Sequence, residues 1–212
     1  MSEFIQKIKI FIRKLIAKVA LYLDKTFGKK VTPNMVTYTG LIMHIPIALL
    51  IGTGNLLLAA VFLIIFGLFD TLDGELARLQ KVDSVSGMFL DAATDRFKEV
   101  LIYMGIIYYL GTNHYSSTYL MFTILALGAS MSVSFVKAKG EAAVASNKHN
   151  EIKHQELNRM FSSGILSFEV RMVLLIIGLM FGLLIPVIIL IAIFSTYTAF
   201  VRLMIIMEKL KQ

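Results

Sequence analysis

Residues 69–96 read FDTLDGELARLQKVDSVSGMFLDAATDR, which sets Asp70, Asp73, Asp91 and Asp95 at helical spacing beside some of the most apolar stretches of the chain. A carboxylate is expensive to desolvate, so acidic residues kept in such surroundings mark a place where something neutralises them. The surroundings follow from composition. The 212 residues are 57% hydrophobic, with a mean hydropathy of +0.76, more apolar than one soluble core of this size can hide. The chain reads as an all-α integral membrane protein.

Six apolar stretches are long enough to cross ~30 Å of hydrocarbon, which takes about 20 helical residues. They fall at 36–53, 56–78, 87–110, 116–139, 165–184 and 187–208. None reads as interrupted, and no internal repeat is present. The connections alternate in charge: Gly52 to Asn55, Gly111 to Tyr115 and a turn at Leu184 to Pro186 hold no Lys or Arg. Those on the other side carry the basic N-terminal segment, Arg78 and Lys81, the run from Lys137 to Arg159, and the tail Lys209 to Lys211. Positive charge concentrates on the cytoplasmic side of membrane proteins, so both termini and the acidic cluster are expected there. The polar stretch from Ser146 to Ser163 reads as a cytoplasmic loop or short helix.

Residues 1–30 carry eight Lys or Arg against Glu3 and Asp24, which is +6 of the chain's +7. Basic residues run throughout the segment, so it does not read as a secretory signal. They alternate with Ile5, Ile8, Ile12, Leu15, Ile16 and Val19 at helical period, which predicts an amphipathic helix on an anionic membrane face. A helix packed on its own protein is the alternative, and nucleic acid is not the expected partner despite a pI near 9.5. The predicted organisation is a juxtamembrane helix over 1–30 and a six-helix transmembrane catalytic domain over 31–212. With no cysteine, disulfides and thiolate metal sites are excluded.

Asp70, Asp73 and Ala77 share one helix face, and Gly87, Asp91 and Asp95 share another. If the two faces meet, the carboxylates must take up protons or bind cations. Hard oxygen ligands alone favour Mg2+ or Mn2+. Two such ions about 3.5 to 4 Å apart suit in-line displacement at phosphorus. Gly74 and Ala77 add little bulk, so a large ligand can approach, and Arg78 one turn on can meet phosphate oxygens.

The pattern Asp70-x2-Asp73-Gly74-x2-Ala77-Arg78-x8-Gly87-x3-Asp91-x3-Asp95 resembles the signature of the CDP-alcohol phosphotransferase family at every fixed position. The lead-in TPNMVTYTG (32–40) and the six spans after an amphipathic helix are similar to the family's architecture. The resemblance implies that Asp70, Asp73 and Asp91 hold metal, while Asp95 completes a second metal site and acts as general base. It implies that Gly74, Arg78 and Ser84 touch the CDP moiety, with Asp70, Ala77 and Gly87 beside them and Asn34 and Thr37 at the mouth of the first span. The implied reaction is attack of an acceptor hydroxyl on the phosphorus bearing the donor alcohol, with CMP leaving, in a homodimer.

Spans four to six are expected to supply the acceptor pocket. Their cations are Lys137, Lys139, Arg171 and Arg202, and a phosphate on the acceptor is the favoured partner; snorkelling, or pairing with Glu169 or Glu208, is the alternative. SFVKAKGEAAV (134–144) and SFEVRMVLLIIG (167–178) are similar to members that accept inositol phosphate, with glycerol phosphate still open. The donor implied is a CDP-lipid, with soluble CDP-inositol, as in di-inositol-phosphate-phosphate synthesis, as competitor.

Two other classes use intramembrane acids. A cation or proton transporter is disfavoured by the unbroken spans, and an Asp-rich prenyltransferase by the lack of a repeat. His44 and Pro46 read as packing and kink features, and His114, His149 and His154 lie in loops without metal-ligand spacing. Asp83 is expected to be solvated, and Glu75 and Glu99 to pair with Arg78 and Arg96.

Overall fold

A computed structural model describes residues 3–146 and 166–210; among these it contains helices and turns and no strand. The helices are α1 (Glu3–Phe27), α2 (Pro33–Gly52), α3 (Leu56–Gly67), α4 (Phe69–Gln80), α5 (Val85–Thr112), α6 (Ser117–Ser146), α7 (Phe168–Met180) and α8 (Leu184–Leu210). The all-α expectation holds. Most of the polar stretch assigned to a cytoplasmic loop, with His149, His154 and Arg159, lies outside the described residues, as does Lys211.

Among the described residues four stretches are long and apolar enough to cross a membrane: Pro33–Gly52, Leu56–Gln80, Ser117–Ala143 and Leu184–Glu208. The chain is therefore an integral membrane protein on length and composition. The predicted third span is α5, 28 residues long but bearing Asp91, Asp95, Arg96, Lys98 and Glu99. The predicted fifth is α7, which has only 13 residues.

Two boundaries differ from expectation. The second apolar stretch is interrupted at Leu68, where the Leu68 amide reaches the Ile65 carbonyl at 3.3 Å and the Thr71 amide reaches the Leu68 carbonyl at 3.1 Å. These i→i−3 bonds tighten one turn beside Gly67, a poor helix former. The expected turn at Leu184 to Pro186 instead occupies Phe181 to Leu183, and α8 already begins at Leu184. Gly182 takes φ +68, and the Leu183 amide closes onto the Gly178 carbonyl at 2.8 Å. Pro186 sits in the first turn of α8, where its missing N–H has no intrahelical role.

The chain divides into two compact units, Met1–Gly105 and Ile106–Gln212. In the first, α2 packs on α3 and α4, and α1 packs on α4. Ile16 and Ala20 of α1 form a core with Val36, Leu72 and Leu76, flanked by Ile12, Leu23, Val31 and Phe69. The predicted stripe is thus split. Ile16 is 5% exposed and faces the protein, whereas Leu15 and Val19 are 54% and 44% exposed. The α1–α4 contact is also polar: Arg13 Nε donates to Glu75 Oε1 at 2.5 Å, and Gln80 Nε2 donates to Asp24 Oδ1 at 2.9 Å and to the Val31 carbonyl at 3.0 Å. Burial of Ile16 and Ala20 explains why α1 clings to the bundle rather than presenting its whole apolar side outward.

Backbone approach joins α5 to α2. A Cβ placed on Gly105 would collide with the carbonyl oxygen of Ala48 and come within 3.0 Å of its Cα, so only glycine permits the contact. His44, 3% exposed, satisfies itself on α2 by sharing a hydrogen between Nδ1 and the Gly40 carbonyl at 2.7 Å, in keeping with a packing role.

In the second unit α8 packs along α6 and against α7. A Cβ on Gly178 would meet the Val187 side chain at 3.2 Å, which records how closely the α7–α8 hairpin is drawn together.

Candidate active site

Three local devices set the walls of the site. Thr32, in extended conformation, caps α2 by accepting the Met35 amide on its hydroxyl at 3.3 Å, and Pro33 follows at the first helical position. Asn34 and Thr37 are thereby fixed on the first two turns. α4 ends at Lys81, which adopts a left-handed conformation (φ 59, ψ 41) while the Val82 amide returns to the Ala77 carbonyl at 3.0 Å. Ser84 then opens α5, its Oγ accepting the Gly87 amide at 3.1 Å. The short loop between these caps turns α4 directly into α5.

A cavity of about 900 Å³ lies between these elements. Asn34, Thr37, Asp70, Gly74, Ala77, Arg78, Ser84 and Gly87 all line it, together with Asp73 and Asp91. Every residue expected around the CDP moiety is therefore in one wall. A Cβ on Gly74 would meet only the Arg78 guanidinium, at 3.5 Å, so the protein's own packing does not demand glycine there. The expected Glu75–Arg78 pair is present at 2.9 Å, and the same Glu75 oxygen also accepts from Arg13.

The carboxylates do not all gather. Asp70, Asp91 and Asp95 each bring an oxygen within 4.8 Å of the others. Asp73 is outside that group: its Oδ2 accepts the Thr37 hydroxyl at 2.6 Å, and it joins the site through the cavity wall. Asp95 is in the cluster but does not line the cavity.

Lys98 neutralises part of the cluster. It is 3% exposed, ion-paired with Asp70 and 3.3 Å from Asp95 Oδ1. Arg96 lies 3.9 Å from Asp95 and closer, 2.8 Å, to Glu99, the partner expected for it. Asp91 Oδ1 is a buried carboxylate oxygen with no hydrogen-bond partner among the described residues. Such an atom is costly unless a cation meets it. An all-oxygen set with one oxygen left over fits Mg2+ or Mn2+.

Lys98 and Thr37's bond to Asp73 were not legible as site features. Lys98 lies three residues after Asp95, on the same helix face, which is the one signal that pointed to it.

The cations assigned to the acceptor belong to the second unit. Arg171 is fully buried; its Nη1 donates to the Leu166 carbonyl at 3.1 Å, and the guanidinium lies 5.8 Å from the Phe168 ring centre. Arg202 Nη1 donates to the Val133 carbonyl at 3.2 Å. Lys137 lies 3.8 Å from Glu141 on the same helix, and Lys139 lies 5.9 Å from the Phe135 ring centre.

Residues 30–198 match the family model for CDP-alcohol phosphatidyltransferase. The phosphatidylinositol phosphate synthase of Corynebacterium glutamicum is 37% identical over 116 residues, 54% of this chain and 53% of the relative. The chain spans about half the length of the curated synthases it matches. The fold is that of Mycobacterium tuberculosis phosphatidylinositol phosphate synthase. Its crystal structure with CDP-DAG bound superposes with a TM-score of 0.77 at 23% identity, over 91% of this chain and 94% of that one. The structure of the same enzyme with manganese and citrate gives 0.76 at 24% identity, over 91% and 88%.

Proposed function

The chain belongs to the CDP-alcohol phosphatidyltransferase family, and from that premise we propose that it transfers a phosphatidyl group from a CDP-linked lipid to a hydroxyl of inositol phosphate, releasing CMP, in phospholipid synthesis. The observation that carries this reading is that one cavity is lined by Asn34, Thr37, Gly74, Ala77, Arg78, Ser84 and Gly87 and reaches the carboxylate cluster through Asp70 and Asp91. The likeness to phosphatidylinositol phosphate synthases supports the acceptor, and the CDP-DAG complex of the mycobacterial enzyme supports the donor.

Asp70, Asp73, Asp91 and Asp95 hold two divalent ions, Mg2+ or Mn2+, in keeping with the manganese complex of the same structural relative. Bound there, the ions supply charge stabilisation to phosphate oxygens. The chain's own groups do the rest. Arg78 pairs with donor phosphate oxygens while Glu75 holds its guanidinium against the wall. Gly74 and Ala77 leave room for the nucleotide. Asp95 takes the proton of the attacking hydroxyl as the new P–O bond forms and the bond to CMP breaks. Lys137, Lys139, Arg171 and Arg202 receive the phosphate of the acceptor.

In this reading residues 1–30 form the juxtamembrane helix and residues 31–212 a six-span catalytic domain, with α5 and α7 completing the four apolar spans. Both termini and the site face the cytoplasm, and the working form is a homodimer. The test is a panel of acceptors (inositol phosphate, glycerol phosphate, serine and inositol) offered with CDP-diacylglycerol or CDP-inositol and Mg2+ or Mn2+ to the detergent-purified protein. Product from inositol phosphate and CDP-diacylglycerol is expected; turnover confined to another pair replaces the acceptor or donor, and no CMP from any pair ends the reading.

A further inference from the structure

We propose that Lys98 is a built-in counter-cation: its ammonium holds the carboxylate cluster together when no divalent ion is bound and is displaced from Asp70 as an ion loads. The proposal rests on the reading of Asp70, Asp91 and Asp95 as ion ligands.

Three carboxylates with oxygens within 4.8 Å of one another repel strongly unless a cation lies among them. Lys98 is the buried cation in reach: it is 3% exposed, ion-paired with Asp70 on α4 and 3.3 Å from Asp95 on its own helix. Arg96 is the other cation at the cluster, but it sits 3.9 Å from Asp95 and closer, at 2.8 Å, to Glu99. The Lys98 stem is seated against α2 at Gly40, where a Cβ would come within 3.9 Å of Lys98 Cε and 3.4 Å of Phe69 Cβ. A lysine held there crosslinks α4 and α5 through charge. An ion drawing on the same Asp70 and Asp95 oxygens must compete with it, because carboxylate lone pairs engaged by an ammonium are not available to a metal in full. Lys98 is outside the family signature, so its presence is a property of this chain's site rather than of the signature itself.

Two consequences separate this role from packing. Without an ion, loss of the ammonium leaves like charges facing one another; with an ion, the same loss removes a competitor. Lys98→Met keeps the length of the side chain and deletes the charge. In detergent with EDTA its thermal midpoint is expected to fall by roughly 5–10 °C, the effect of breaking a buried ion pair in a chain of this size. Its Mn2+ dissociation constant, read from the paramagnetic resonance signal of free Mn2+, is expected to tighten by about tenfold or more. The double variant Asp70→Asn with Lys98→Met removes one charge of each sign and is expected to regain stability in EDTA relative to Lys98→Met alone. It also keeps the proposal open to test if the single variant fails to fold.

Wild-type protein that binds Mn2+ beside a Lys98→Met variant of unchanged EDTA stability or unchanged affinity overturns the role of the lysine while the ion site stands. A double variant no more stable than the single one overturns it too, since a packing defect is not rescued by removing a carboxylate charge. Wild-type protein that binds no Mn2+ overturns both this proposal and the reading beneath it.

Discussion

In the first unit half-buried carboxylates share one cluster: Asp70, Asp91 and Asp95 converge, and the buried Lys98 reaches two of them. In the second the buried charge is cationic, with Arg171 donating to the Leu166 carbonyl and Arg202 to the Val133 carbonyl. A carboxylate cluster is held together by cations or protons, so its geometry depends on what is bound. A guanidinium with five donors can spend one on a neighbouring carbonyl and be oriented by it without loss of charge. The contrast teaches that the first unit is arranged to respond to a cation, whereas the second carries positive charge in fixed positions.

The sharpest way to break that comparison is to neutralise the responsive side. Asp95→Asn is expected to lower turnover by roughly 10²- to 10⁴-fold, the usual worth of a positioned general base, measured as CMP release at saturating substrates. Unchanged turnover would remove Asp95 from the chemistry. On the tethered side, Arg171→Met is expected to raise KM for inositol phosphate by about 10- to 100-fold with little change in KM for the CDP-lipid, the scale of a lost charge-assisted hydrogen bond. Equal rises for both substrates would mean that Arg171 serves the bundle rather than the acceptor.

Smaller effects sharpen the frame. Gly105→Ala forces a methyl into the Ala48 backbone and is expected to cost about 1–3 kcal/mol, read as a lowered thermal midpoint of the whole protein. Glu75→Gln weakens the link between Arg13 and Arg78, both of which are substantially exposed, so only a two- to threefold rise in KM for the donor is expected, roughly the worth of a surface ion pair. A rise as large as that of Arg171→Met would place Glu75 in direct contact with substrate.

The helical class and the cavity lining were legible because each rests on regular spacing. Asn34, Thr37, Gly74, Ala77, Arg78, Ser84 and Gly87 line one cavity. What escaped depended on tertiary contact. Ile16 and Leu15 are neighbours with the same hydropathy, yet one packs against Leu72 and Leu76 and the other does not. Asp73 shares a face with Asp70 in the helical count, but the Thr37 hydroxyl draws it aside. Lys98 is one of several charges in the run Asp95 to Glu99, and only its tertiary pairing with Asp70 on α4 sets it apart. The α7–α8 turn lies at Phe181 to Leu183 rather than at Leu184 to Pro186, because Gly182 supplies the left-handed backbone and Pro186 fits the first turn of the next helix.

Gly74 carries one more implication. The space beside its Cα is not needed by any neighbour except the edge of Arg78, so a methyl group there would go almost unnoticed by the bundle. Alanine in its place would return about 1 kcal/mol of helix stability. The helix forgoes that gain to keep a flat floor, which is sensible only if the occupant of the cavity, and not the protein, is what a side chain would displace.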